Sequence, residues 1–144
     1  MFSKSCEYAI KAAIFIAINS LLDRKVGSVD IAKEINSPEA FTAKILQKLS
    51  KDGIIHSVRG VNGGFFIPKK LISEIKLAQI VFAIDGDVAF KGCGLGMEKC
   101  NANHPCPLHE KFMSIRNDLR QMLETTNLEE LAVGLKSGET FLKQ

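Results

Sequence analysis

Apolar residues recur at helical spacing from Ser3 to Leu22, with Ile10, Ile14, Ala17 and Leu21 on one stripe. Ala13, Phe15, Ile16 and Ile18 widen that stripe until most of the helix requires cover. The run AIKAAIFIAI is broken by Lys11 and is too short to span a bilayer. Glu7 precedes it and no clean small-residue cleavage site follows, which argues against a secretory leader. The pattern predicts a buried first helix in a cytoplasmic protein with no membrane partner.

Asp23 to Gly27 is a polar break. SVDIAKEI then reads as a short helix capped by Ser28, with Val29, Ile31, Ala32 and Ile35 inward and Asp30 in the favourable first turn. Ser37-Pro38 is a second start signal, Ser37 as N-cap and Pro38 at the first helical position, and Gly53 stops that helix after Asp52. Phe41, Ile45, Leu46 and Leu49 are expected inside, and Thr42, Lys44, Gln47, Lys48 and Lys51 outside. Two short helices with a tight turn and a basic outer face make a helix-turn-helix candidate, the second helix reading DNA.

IIHSV and FFIP flank a turn that holds Arg59, Gly60, Asn62, Gly63 and Gly64, so a β-hairpin follows directly, as the wing of a winged helix would. A linker helix is predicted over Ser73 to Ile84, ended by Gly86. A long helix is predicted from Pro107 to about Glu124. Its residues Leu108, Phe112, Ile115, Leu119 and Met122 step by four, three, four and three, a coiled-coil-like seam suited to dimerisation. Thr126 and Glu129 form a capping box for a last helix. The expected fold is mainly α with a small β-hairpin wing. Residues 1–70 form a winged helix-turn-helix DNA-binding domain, and residues 71–144 a linker helix, a cysteine loop and a dimerisation helix.

Charge sharpens this picture. From Arg24 to Lys70 there are nine Lys/Arg against four Asp/Glu, while the rest of the chain holds ten against twelve. The positive charge sits where the DNA-reading elements are expected. The candidate DNA contacts are Ser28, Ser37, Glu39, Thr42, Lys44, Gln47, Lys48 and Lys51, with Arg59 and Asn62 on the wing. No Ser-His-Asp order or phosphate-binding glycine loop is evident, so an enzyme is not expected.

Between the two C-terminal helices lies CGLGMEKCNANHPCPLH, with no apolar period and therefore a loop. It holds Cys93, Cys100 and Cys106 of the four cysteines, together with His104 and His109. Clustered thiolates select zinc, copper(I) or iron–sulfur centres. Structural zinc usually shows a tight C-x₂-C bite, whereas six and five residues separate these cysteines. Such spacing suits a larger object, an iron–sulfur cluster of two or four irons, which wants four ligands. Thiol redox switching without metal, and unreactive free thiols, are the alternatives.

EYAIKAAIFIA (Glu7 to Ala17), LSKDGIIHSVRGVNGGF (Leu49 to Phe65) and the three cysteines followed by PLH resemble the Rrf2 family of bacterial transcription regulators, over nearly the whole chain. That family includes the iron–sulfur-cluster biogenesis regulator and the nitric-oxide-sensing repressor. The resemblance implies a homodimer of winged helices and a cluster in each cysteine loop. It also implies binding to a pseudo-palindromic duplex that changes with cluster state. It places Arg59 and the wing in the minor groove and the helix from Pro38 to Lys51 in the major groove. Ala40 and Ala43 stand where polar base-reading residues often occur in the family. Some members lack the cysteines, and this chain has all three.

The fourth ligand has two candidates. His109, three residues after Cys106 at the start of the long helix, matches the cluster-biogenesis branch, and an imidazole is an adequate iron ligand. Glu7 occupies the place where the nitric-oxide-sensing branch carries an acid that reaches the partner's cluster. His104 or water is a further option. The competing functions are a regulator of the same fold that senses oxidants through its thiols, and a small metal- or redox-handling protein.

Overall fold

A computed structural model describes all 144 residues. Helix α1 (Lys4–Leu21) begins where Ser3 caps it, the Ser3 hydroxyl accepting from the Cys6 amide at 3.0 Å. Its buried residues include Ala9, Ala12, Ala13, Ile16 and Ala17, so cover on most sides is realised, and the alanines let neighbouring helices approach closely. Helices α5 (Leu77–Asp85), α3 (Glu39–Lys51) and α8 (Leu128–Lys136) pack around it. One continuous core joins Ile16, Ile31, Leu46 and Leu49 to Ile80, Val81, Leu123 and Leu128.

Helices α2 (Ser28–Glu34) and α3 pack together through a turn in which Asn36 adopts a left-handed backbone (φ 53°). Ser28 is the first residue of α2 rather than its cap; Gly27 takes the cap position. Pro38, not Ser37, caps α3, because the Ser37 hydroxyl is taken by the hydroxyl of Thr42. Thr42 is buried, and its hydroxyl also bonds the Pro38 carbonyl at 2.9 Å, which corrects its expected outward placement. Phe41 moves the other way: it lies at the rim, its ring edge-on to Tyr8 at 5.7 Å.

Strands β1 (His56–Val58) and β2 (Gly64–Phe66) form the expected antiparallel hairpin, with His56 opposite Phe66. Val26 adds a bridge to Phe65 on the other side of β2. That bridge explains Gly64: its φ is +133°, and a Cβ there would lie 2.9 Å from the Val26 carbonyl oxygen.

Of the linker helix predicted over Ser73 to Ile84, only the part from Leu77 forms, as α5; residues 73–76 are not helical, and a separate short helix, α4 (Lys69–Ile72), precedes the break. At the break Lys76 is extended and bridges Asn127; the Leu77 amide bonds Thr126 O and the Leu128 amide bonds Ile75 O, both at 3.0 Å. A long-range ladder overrides local helical preference there. A short helix α6 (Val88–Lys91) precedes the cysteine loop, and α7 (His109–Thr125) follows it. The capping box of α8 is shifted by one residue from the expected pair: the Glu130 amide bonds Asn127 Oδ1 at 3.0 Å, and the Asn127 amide bonds Glu130 Oε1 at 2.7 Å.

Along α7 two apolar stripes separate. Leu119 is half-buried and Leu123 fully buried, whereas Leu108, Ile115 and Met122, spaced by seven, are 38%, 59% and 45% exposed. No helix of the chain is long and apolar enough to cross a membrane.

Candidate functional site

The loop of residues 92–108 lies between α6 and the first turn of α7. Its three cysteines are half-buried and unpaired, while Cys6 is fully buried in the core. Burial first, then the Asp85 carboxylate, pushes the Cys6 thiol up to about 12, so it stays protonated and outside any thiolate chemistry.

Cys93 has the opposite environment. The backbone N–H groups of Leu95 and then Met97 point at its sulfur and hold it below the usual thiol range, with smaller help from the Cys106 side chain. Its carbonyl accepts from Gly96 N at 2.9 Å, a tight turn that aims those amides inward.

His109 is the buried side chain of the first turn of α7. Helical proximity to Cys106 is realised in the backbone, where the His109 amide bonds the Cys106 carbonyl at 3.0 Å. The ring faces a different cysteine: Nδ1 lies 3.5 Å from Cys100 Sγ. The loop donors thus stand as two neighbouring pairs, Cys93 with Cys106 and Cys100 with His109. No three His, Cys, Asp or Glu side chains converge as closely as a single metal ion demands. Three soft thiols on the loop and one imidazole on the first turn of α7 nevertheless fit the donor set of an iron–sulfur centre.

Glu7 lies in the first turn of α1, 3.0 Å from Lys4, and makes no hydrogen bond to the cysteine loop. His104 is exposed.

Arg116 is not legible as a site residue from its type alone. It lies one turn beyond Phe112 on α7, and its guanidinium reaches the Gly92 carbonyl at 2.6 Å and Cys100 Sγ at 3.4 Å. A second feature hidden from the sequence joins the loop region to the reading elements. Asp85, the last residue of α5, accepts from Ser3 N at 3.0 Å and from the Ser3 hydroxyl, so it anchors the residue that caps α1. Beside it the Lys48 ammonium of α3 donates to the Ile84 carbonyl at 3.4 Å.

Glu39, Ala40, Ala43, Lys44, Gln47, Lys48 and Lys51 are exposed along α3, and Ser28 and Ser37 are half-exposed nearby. Arg59 and Asn62 are exposed at the hairpin tip. All but Thr42 of the sequence-derived DNA set therefore reach the surface.

A family model described as an iron-dependent transcriptional regulator, Rrf2, matches residues 2–134. A chain of Aquifex aeolicus described as an HTH-type transcriptional regulator is 31% identical over 133 residues, covering 91% of this chain and 90% of that one. The HTH-type transcriptional regulator IscR of Photorhabdus laumondii is 30% identical over 124 residues, covering 86% of this chain and 74% of the relative. Among solved structures, CymR, the global cysteine regulator of B. subtilis, superimposes with a TM-score of 0.75 at 20% identity, covering 92% of this chain and 96% of that one. IscR of T. potens superimposes with a TM-score of 0.73 at 16% identity, covering 97% and 91%. These two share the mainly helical winged-helix fold. From the family match over nearly its whole length, the chain belongs to the Rrf2 family of transcriptional regulators, DNA-binding proteins rather than enzymes.

Proposed function

We propose that this regulator binds a pseudo-palindromic DNA operator as a homodimer in the cytoplasm, and that an iron–sulfur cluster in the cysteine loop controls that binding. The single observation that carries the reading is the gathering of three loop thiols at the start of α7, where Nδ1 of the His109 ring lies 3.5 Å from Cys100 Sγ. The IscR relative at 30% identity adds support. Cys93, Cys100, Cys106 and His109 would hold the cluster, of two or four irons, with Glu7 as the rival fourth ligand. When bound, the cluster supplies a centre whose charge and ligation respond to redox state and small ligands.

Residues 1–70 do the DNA reading in this account. Helix α3 enters the major groove with Lys44, Gln47, Lys48 and Lys51 outward, and Glu39, Ser37 and Ser28 lie near its entry. Arg59 and Asn62 on the wing reach the minor groove. The lysines act on phosphates and set register; a guanidinium in a narrow groove adds sequence preference.

Residues 71–144 carry the sensing and the dimerisation. Leu108, Ile115 and Met122 form an exposed apolar stripe that a second copy of α7 would cover. Helix α5 links the two halves. Its C-terminal end holds Ser3 of α1 through Asp85 and Lys48 of α3 through the Ile84 carbonyl, and the loop begins soon after. A change in loop conformation can therefore alter how α1 and α3 sit relative to the second half-site.

A second reading, oxidant sensing by thiol chemistry without metal, is favoured by one observation: the lowered thiol of Cys93 beside Cys106. Iron and acid-labile sulfide analysis of anaerobically purified protein separates the two. Coloured protein containing both is expected, lost on Cys93→Ala, Cys100→Ala or Cys106→Ala and kept on Cys6→Ala. Stoichiometric zinc without sulfide, or metal-free protein that resists reconstitution, would defeat the cluster reading.

A further inference from the structure

We infer that Arg116 is a positioning residue for the cysteine loop, holding Cys93 and Cys100 on α7 before any metal arrives and tuning the centre they would form. Its Nη1 donates to the Gly92 carbonyl at 2.6 Å and its Nη2 lies between Met113 Sδ of the same helix, at 2.5 Å, and Cys100 Sγ of the loop, at 3.4 Å. One planar group thereby fixes the residue just before one thiol and the sulfur of another. Its side chain is half-buried and makes no ion pair, whereas Arg120, one turn on, is paired with Glu124 at 2.8 Å. The charge of Arg116 is thus given to the loop rather than to a carboxylate.

The same face of α7 shapes the rest of the seat. His109, Phe112 and Arg116 follow one another at steps of three and four, and each meets the loop. A Cβ on Gly94 would come within 2.5 Å of the Phe112 ring, and one on Gly92 within 2.7 Å of the Val88 carbonyl oxygen. The two glycines flanking Cys93 therefore let the segment approach the α6 backbone on one side and the Phe112 ring of α7 on the other, where a side chain would collide. Arg116 closes that arrangement by clasping its first residue.

The chemistry of the clasp has two separable parts. The two-point geometry orders the loop. The positive charge at the Cys100 sulfur favours the more negatively charged state of whatever the sulfur ligates, and so raises a reduction potential there. The second part rests on the proposed cluster; the first does not.

The test uses the full chain in two forms. Hydrogen exchange is followed by mass spectrometry on reduced, metal-free protein for wild type, Arg116→Gln and Arg116→Lys. Exchange across residues 93–100 should be about tenfold faster in Arg116→Gln, with α1 and α5 unchanged, and Arg116→Lys should also be faster because one ammonium cannot span both acceptors. After reconstitution with iron and sulfide, the midpoint potential should fall in Arg116→Gln and stay near wild type in Arg116→Lys, which keeps the charge. Wild-type exchange of the loop in both variants would overturn the seating role. Equal potentials in wild type and Arg116→Gln would overturn the tuning role. Should Arg116→Gln fail to fold, Arg116→Lys decides the seating alone. A wild-type protein that takes up no cluster defeats the proposed function, while the loop exchange still decides Arg116.

Discussion

Cys100 Sγ and His109 Nδ1 lie 3.5 Å apart, bringing an imidazole on the first turn of α7 against the middle cysteine of the loop. The ring is buried, so it is offered to the loop and not to solvent. Glu7, by contrast, is engaged by Lys4. His109→Ala is therefore expected to lose the cluster or bind it weakly, and Glu7→Ala to retain it, as read by iron content and visible absorption under anaerobic conditions. Retention in His109→Ala with loss in Glu7→Ala would transfer the fourth ligand to the acid.

The buried thiol gives a pH prediction. With Cys6 pushed up to about 12, folded protein at mildly alkaline pH should alkylate at Cys93, Cys100 and Cys106 but not at Cys6. Unfolded, Cys6 titrates at about 8.5. The native state then holds a proton that the unfolded state has released, so stability is full below that pH and falls between it and about 12. Peptide mapping after iodoacetamide treatment checks the labelling; rapid modification of Cys6 in native protein would contradict its burial.

The separation of the two stripes on α7 makes the dimer testable. Ile115 is 59% exposed, so Ile115→Asp should leave the protomer folded yet place an unpaired charge in the proposed interface, costing several kcal/mol. Sedimentation should then show a monomer with an unchanged helical spectrum. Leu119→Asp is a poorer probe, because Leu119 packs against the protomer's own core. A dimeric Ile115→Asp protein would remove this stripe from the interface.

How far can the chain be read without its fold? The amphipathic periods of α1, α3 and α7 are legible because each side chain's direction follows from 3.6-residue geometry. The wing is legible from Arg59 to Gly64, where glycines demand a turn. Interactions across the fold are not. The break at Lys76 depends on Asn127, the burial of Thr42 on the competing hydroxyl of Ser37, and the anchoring of the Ser3 cap on Asp85. In the candidate site, the cysteines and His109 can be named from type and spacing. An aperiodic loop carries no signal for which thiol meets which partner. Helical spacing puts His109 beside Cys106, and its ring instead meets Cys100. The only clue to Arg116 is its place on the same face of α7 as Phe112 and His109.

On the DNA side, Arg59→Ala should weaken operator binding by about 1–3 kcal/mol if the guanidinium enters the groove. Replacing Lys44 or Lys51 should weaken binding to all duplexes alike. It should also reduce the slope of log affinity against log salt by about one for each phosphate that is no longer neutralised. Fluorescence anisotropy over a salt series checks both; an Arg59→Ala protein with wild-type affinity would remove the wing from the DNA-binding surface.

The state of the loop is proposed to control DNA binding, and one measurement reaches that directly. It is the affinity of one anaerobic preparation for duplexes selected by that protein from a randomised pool, taken before and after the iron is removed with a chelator under reducing conditions. A change of about tenfold or more, reversed on reconstitution with iron and sulfide and absent in Cys100→Ala, is the predicted result. Cluster-loaded and stripped protein binding the same duplexes with equal affinity would contradict the account.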